Sequence, residues 1–332
     1  MTGVAVRRGA FGAGVVAAWC TACGPDARPR DEGAAGAADA GVELAGAGAG
    51  GAACDGADCL SREVATWPMP NPGTLGLPNP ARLTAVGDAL VRDERSGLEW
   101  SVAIAPLGTY AEALAFCDGL HLDEAAEFRL PTRIELISLL DRTRLPAIDA
   151  RAFPDTPDDY FWSATPLPGA PGFRYSVYFG AGETSSGDEA QASAYTRCVR
   201  AGLRRPAPRH AVDGDVVRDL GTGLVWQRSS SRDALSLDAA ARFCDGLEPS
   251  EPAFRLPSDK ELQTLITTPD PVNPSEIPAS GPLVDPVAFP ATPNERFATA
   301  QSEPLPPMAV DFATGFATIV NDSDRLYVRC VR

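Results

Sequence analysis

The chain repeats itself over most of its length, and the repeat limits what it can fold into. Val91-Arg92-Asp93 followed by Gly97-Leu98-Glu99-Trp100 recurs as Val217-Arg218-Asp219 followed by Gly223-Leu224-Val225-Trp226, a shift of 126 positions (217 − 91). Three further motifs keep the order. Phe116-Cys117-Asp118-Gly119-Leu120 returns as Phe243-Cys244-Asp245-Gly246-Leu247, and Phe128-Arg129-Leu130-Pro131-Thr132 as Phe254-Arg255-Leu256-Pro257-Ser258. Arg197-Cys198-Val199-Arg200 returns as Arg329-Cys330-Val331-Arg332. So long a unit exceeds solenoid periods of roughly 20–50 residues, so each copy is expected to be a domain with its own core.

The chain has 8 cysteines, two of them in the N-terminal signal region. If each copy folds alone, the economical pairing is Cys117–Cys198 and Cys244–Cys330, across 81 (198 − 117) and 86 (330 − 244) positions, with Cys54–Cys59 closing a small loop. A metal cluster would need closely spaced Cys or His ligands, which the repeats lack.

Arg7-Arg8 and the small, apolar run over 10–22 read as an export signal, and Thr21-Ala22-Cys23-Gly24 as a lipoprotein box with lipidation at Cys23. Ordinary cleavage after Ala22 is the alternative. The run is too short and too rich in Gly and Ala for a membrane span, so membrane attachment would come through the lipid alone. The chain divides into the export signal at 1–23, a flexible Ala/Gly tether with the Cys loop at 24–63, a first repeat domain with a Pro-rich leader at 64–202, and a second repeat domain at 203–332. The net charge is −15, and both copies are acidic: 10 basic against 18 acidic residues in 85–202, 13 against 18 in 203–332. Nucleic acid and anionic membrane surfaces call for basic patches, so neither is an expected partner. The expected location is extracytoplasmic, on a bacterial outer membrane or cell surface.

Each copy should open with a strand (89–93, 215–219), a Gly turn and a short apolar run ending at Trp100 or Trp226. A helix capped by Thr109 and Glu112 should then end at Gly119, with its counterpart over 236–246. Thr132 with Glu135 and Ser258 with Glu261 form second capping boxes, for helices running through Leu136, Leu139 and Leu140, or Leu262, Leu265 and Ile266. The second copy inserts a Pro-rich loop at about 267–282. Strands are expected at 175–179, 308–312, 195–199 and 327–331, the last two placing Cys198 and Cys330 on core faces. Two early helices and a later, mainly antiparallel sheet make an α+β domain, its first helix stapled to its final strand.

These repeated motifs, with Asp149…Phe153-Pro154 and Asp285…Phe289-Pro290, resemble the legionella collagen-like protein C-terminal domain family over most of 86–200 and 212–332. Trp67-Pro68-Met69-Pro70-Asn71 and Leu77-Pro78-Asn79-Pro80 are similar to the leader that precedes such domains. Two departures are visible: Phe128 and Phe254 stand where Trp is usual, and Trp162-Ser163 becomes Ala298-Thr299. The Arg-Leu-Pro-Thr-x-x-Glu stretch is also similar to formylglycine-generating-enzyme-like and C-type-lectin-like domains. The resemblance implies two tandem C-type-lectin-like domains and, for the family's namesake, binding of sulfated polysaccharide.

Arg129, Pro131 and Glu135, and their repeats Arg255, Pro257 and Glu261, read as helix starts with a structural ion pair rather than as catalytic groups. Arg197, Arg200, Arg329 and Arg332 read as flanks of the disulfides. Asp158, Asp159, Tyr160 and Trp162 are the ligand candidates, an acidic and aromatic stretch that could stack a sugar ring, although Tyr160, Phe161 and Trp162 also suit core or rim packing. Asn321-Asp322-Ser323-Asp324, with Glu303, is similar to a calcium-binding loop of C-type lectins, and Gly187-Asp188-Glu189 stands in the first copy; solvated loop acids are the commoner outcome. No other cofactor is expected. His121 and His210 read as exposed loop histidines. The expected function is non-catalytic recognition of a glycan or surface protein, with duplication favouring multivalent binding. The alternatives are an enzyme of the formylglycine-generating or sulfoxide-synthase type, which would need a reactive cysteine pair or a histidine-based iron site, and a purely structural envelope lipoprotein.

Overall fold

Local signals in the sequence start each helix where expected. In the computed structural model, which describes residues 62–122, 127–201, 209–247, 252–269, 271 and 281–332, Thr109 accepts from the Glu112 N–H while the Glu112 carboxylate accepts from the Thr109 N–H. The same reciprocal box opens the second helix of both copies, at Thr132/Glu135 and Ser258/Glu261. The first copy comprises β2 (Leu83–Val86), β3 (Leu90–Asp93), β4 (Glu99–Gly108), α1 (Tyr110–Asp118), α2 (Arg133–Ser138), β5 (Tyr160–Pro166), β6 (Phe173–Tyr178), β7 (Thr184–Asp188) and β8 (Ala194–Arg200). Ahead of it lies a two-residue strand, β1 (Arg62–Glu63). The second copy comprises β9 (His210–Asp213), β10 (Val216–Asp219), β11 (Val225–Gln227), α3 (Leu237–Asp245), α4 (Asp259–Gln263), β12 (Thr268–Pro269), β13 (Arg296–Ala298), β14 (Met308–Asp311) and β15 (Ala317–Ile319).

The first copy builds a seven-stranded sheet in the order β2-β3-β4-β8-β5-β6-β7, antiparallel except where β8 meets β5. The second copy repeats the plan in two three-stranded pieces, β11-β10-β9 and β13-β14-β15. The result is α+β, mostly sheet with few helices, and both expected disulfides are present: Cys117–Cys198 and Cys244–Cys330. Each joins the first helix of its copy to the last segment, and all four cysteines are buried.

Several boundaries differ from expectation. The run expected to end at Trp100 continues as β4 to Gly108, because β4 pairs with β8 through two register shifts. Helices α2 and α4 stop at Ser138 and Gln263, short of Leu139 and Leu265. The hydroxyls of Ser138 and Thr264 donate back to the carbonyls of Glu135 and Glu261, both at 2.6 Å, a competitor for helical bonding. Leu139, Leu140, Leu265 and Ile266 are buried all the same. The strand expected at 327–331 forms only isolated bridges. There the Val328 N–H bonds to Ser231 Oγ at 3.0 Å and the Cys330 N–H to Gln227 Oε1 at 3.3 Å, side-chain bonds that alternate with backbone bonds such as Gln227 N–H to the Cys330 carbonyl.

Each copy carries two apolar clusters. In the first, Trp100, Ile134, Leu136, Phe153, Phe161 and Phe179 form one, and the second surrounds the disulfide with Leu90, Tyr110, Phe128 and Trp162. The second copy matches them with Trp226, Leu262, Phe289, Phe297 and Phe312, and with Ala240, Leu326 and Val328 about Cys244–Cys330. Trp67 and Met69 of the leader, and Leu305 of the second copy, complete the first of these clusters.

The two copies and the leader meet through buried polar groups. Arg62 and Glu63, read from the sequence as the end of the tether, instead pair antiparallel with Pro269 and Thr268. The reason is the Glu63 carboxylate: it accepts from the Ile134 N–H (2.8 Å), from the Thr165 hydroxyl and from the Thr268 hydroxyl (3.1 Å), and so ties leader, first copy and second copy together. Lys260 of α4 donates to the carbonyls of Ser138 (2.7 Å) and Leu140 (2.8 Å), and Arg133 of α2 donates to the Gln263 side chain. Asn71 bridges the leader to Ser258 and Glu261, and the Tyr175 hydroxyl donates to the Thr314 carbonyl at 2.6 Å. Most of the Pro-rich insertion, the export signal, Cys23 and the Cys54–Cys59 pair lie outside the described residues.

Candidate functional site

The motifs shared by both copies build scaffold. Arg129 and Arg255 grip Glu135 and Glu261 with two bonds each, at 2.6–2.7 Å and 2.7–2.8 Å. Burial pushes the Glu135 carboxyl up, but Arg129 and the Thr132 N–H outweigh it and hold it below the usual carboxylate range. The carbonyls of Pro131 and Pro257 accept from Ala164 and Ala300, locking the helix starts to the sheet. Arg197 and Arg329 are fully buried. Arg197 donates to the carbonyls of Ser101 and Val102 and to the Thr156 hydroxyl, and lies 4.6 Å over the Phe153 ring. Arg329 repeats this with Gln227, Arg228, Thr292 and Phe289. Burial pulls both guanidiniums down to about 9, still above neutral pH, so both remain charged inside cages of carbonyl dipoles and ring faces. Arg200 pairs with Glu99 at 2.8 Å and stacks on Phe128, as Arg332 stacks on Phe254.

The residues expected to meet a ligand differ in depth. Trp162 is withdrawn: only 1% exposed, it donates its indole N–H to the Gly108 carbonyl at 2.8 Å and packs edge-on against Tyr110. Strand alternation turns it to the disulfide core, so it cannot stack a sugar. Tyr160, two residues earlier on the same strand face, is half-buried at the edge of that cluster. Its ring lies 5.0 Å from that of Tyr178, tilted by 35°, because β5 and β6 place these two residues directly opposite. A hydrogen bond to Asp158, followed by burial, pushes the Tyr178 hydroxyl up to about 12. Asp159 accepts from the Tyr160 N–H at 2.7 Å, and burial raises the nearby Glu183 carboxyl. A Cβ at Gly180 would collide with the Asp158 carboxylate and the Tyr178 ring, so any larger residue there would displace both side chains. This shelf of two tyrosines with Asp158 and Asp159 is confined to the first copy; Arg296 and Asp311, paired across β13 and β14, stand where the tyrosines would be. Tyr178 carries no sequence signal of its own, since its place opposite Tyr160 follows from strand register.

The calcium-like loop is held by its own side chains. Asp324 pairs with Arg296 at 2.7 Å and accepts from the Asn321 N–H at 2.8 Å, while Asn321 accepts from Ser323. In the first copy Glu189 pairs with Arg174 at 2.7 Å, and Asp188 accepts from the N–H groups of Ala190 and Gln191. Among the described residues no group of three or more His, Cys, Asp or Glu is placed to hold a metal ion. His121 is exposed. His210 is not the exposed loop histidine the sequence suggested: it lies in β9, its ring bonds Asp285 at 2.8 Å and packs edge-on against Phe289. Burial pushes Asp285 up, but the bond to His210 prevails and holds it down at about 2.

Among the described residues, no helix is long and apolar enough to cross a membrane. No curated protein matches the chain. The Lcl C-terminal domain family matches twice, over residues 89–200 and 215–332, the two stretches that carry the paired motifs, helices and disulfides. The chain therefore belongs to the Lcl C-terminal domain family, as a tandem of two such domains.

Proposed function

We infer that this is a non-catalytic, extracytoplasmic recognition protein, anchored through a lipid on Cys23, whose two domains are C-type-lectin-like and whose first domain binds a glycan or surface protein. Membership of the family, the tandem arrangement and the disulfide from first helix to final segment in each copy support the lectin-like and surface parts of the reading. The observation that carries the ligand is the Tyr160–Tyr178 shelf. Aromatic faces pack the C–H faces of sugars while neighbouring carboxylates accept from hydroxyls, so a half-exposed ring pair flanked by Asp158 and Asp159 matches a neutral or amino sugar. An acidic chain of net charge −15 disfavours the polyanionic ligand of the family's namesake.

A glycan array probed with the full chain, with and without calcium, tests this. Retention of neutral or amino sugars, lost in Tyr160→Ala and Tyr178→Ala, is expected. An array on which nothing is retained in either condition, or binding untouched by both substitutions, sinks it.

A further inference from the structure

The first repeat holds an open cleft of about 880 Å³ between β2, the leader and the segment after α2. In the second repeat the equivalent residues close on one another. Arg209 bonds Asp219 at 2.8 Å and the Thr264 carbonyl, and His210, at the register position of Leu83, engages Asp285.

In the first repeat the Ser138 carbonyl, the counterpart of that of Thr264, accepts from Lys260 instead. Asp93 keeps only local bonds, from the Arg95 N–H and the Ser96 hydroxyl, whereas Asp219 has both its local bonds and Arg209. Arg82, the counterpart of Arg209, is left exposed at the cleft mouth, with no partner for its guanidinium among the described residues. The other cations of the cleft are matched: Arg144 pairs with Asp141 and Asp149, Arg151 with Asp149, and Lys260 bonds two carbonyls.

The wall beside Arg82 is a sheet edge. Among the described residues β2 pairs only with β3, and the Arg82 carbonyl accepts from the Glu94 N–H, which makes Arg82 and then Thr84 the hydrogen-bonded positions. The N–H and C=O groups of Leu83 and Ala85 therefore point away from β3. An outward row of alternating donors and acceptors matches an extended polypeptide, and natural sheets rarely leave such an edge open without protection. Leu139 and Leu140, both buried, give the cleft an apolar floor.

The geometry points to a second binding site, distinct from the tyrosine shelf: an extended peptide adds as a strand along β2, with an acidic side chain on Arg82. Leu83 and Ala85 supply main-chain bonds, the floor takes alternate apolar side chains, and the unmatched guanidinium selects the acid. The peptide needs about four residues, at roughly 3.3 Å each, to cover β2.

The probe is a blocked, fluorescein-labelled hexapeptide of alternating threonine and valine with one central glutamate, added to the full chain. Saturable anisotropy is expected, with shifts of the Leu83 and Ala85 amide resonances. Arg82→Glu and Ala85→Pro should each weaken binding by about tenfold or more. Proline at position 85 removes an outward N–H without touching the β3 ladder. The same peptide N-methylated along its backbone should not bind, a control that needs no variant protein, and Tyr160→Ala should bind as the parent does. Absence of saturable binding up to about 1 mM, equal binding by the N-methylated peptide, or indifference to Arg82→Glu overturns the proposal. So does a heparin hexasaccharide that displaces the peptide and binds Ala85→Pro undiminished, since the site would then be a simple anion patch.

Discussion

Glu63→Ala is the sharpest test of how the two domains are joined. The Glu63 carboxylate is 6% exposed and accepts three hydrogen bonds, one from the first residues of α2, one from β5 and one from β12. It also faces the fully buried Arg133 guanidinium, the strongest favourable charge on it. The two threonine hydroxyls can rotate to other acceptors, but the Ile134 N–H is fixed, and leaving it unpaired costs about 1–3 kcal/mol. Removing the facing charge from a buried cation costs about 3–5 kcal/mol where the pair is isolated. Arg133 keeps its bonds to Gln263, so the terms overlap and the expected loss is about 3–5 kcal/mol in all. At an m-value of about 3 kcal/mol/M, the urea midpoint should fall by about 1–2 M. Tryptophan fluorescence reads both domains, through Trp67 and Trp100 in one and Trp226 in the other, and both should shift together. Glu63→Gln, which keeps an acceptor for Ile134, should lose less. Burial raises the Glu63 pKa, so the folded state holds this proton more tightly, and the group's contribution falls as pH rises above about 4.5; Glu63→Gln should flatten that part of the profile. A loss below about 1 kcal/mol, or a Trp226 transition that stays in place while the others move, would refute a junction built on Glu63.

Three further outcomes follow from single sites. Asp285 is held at about 2 against 3.8 unfolded, so its stabilisation of about 2 kcal/mol is present above pH 4 and lost as pH falls through 2; in acid-unfolding curves Asp285→Asn should remove that contribution, and a superimposable curve would count against the His210 contact. Asp158→Asn should bring the Tyr178 hydroxyl down from about 12, seen as tyrosinate absorbance at lower pH, while Gly180→Ala should disorder the shelf and abolish any glycan retention. Replacing Cys244 and Cys330 by alanine opens a span of 86 residues and should cost about 4–5 kcal/mol by thermal or urea unfolding; a loss under about 1 kcal/mol would show that packing about α3 suffices without the bond.

Much of the scaffold was legible because it is locally encoded. A capping box needs only four consecutive residues, so Thr109, Thr132 and Ser258 announced their helices, and the bond between Ser138 Oγ and the Glu135 carbonyl that ends α2 is equally local. The disulfides followed from matched positions in two copies, since repetition acts as an internal comparison. Trp162 suited both a ligand site and the core; it shares a strand face with Tyr160, and only the packing of α1 through Tyr110 shows that the covered part of that face includes it. His210 was misplaced because its partner, Asp285, lies 75 positions away.

The sequence by itself determined the tandem plan, the helix starts, the two staples and the family. Those depend on neighbours in the chain or on agreement between copies. Only the tertiary structure decided that the leader is a strap between the domains, that Tyr178 rather than Trp162 accompanies Tyr160 at the surface, and that Arg82 and Arg209 end in different surroundings. These outcomes rest on strand register and on which buried polar group reaches a shared carbonyl first: Lys260 takes that of Ser138 from the other domain and leaves Arg82 at the surface.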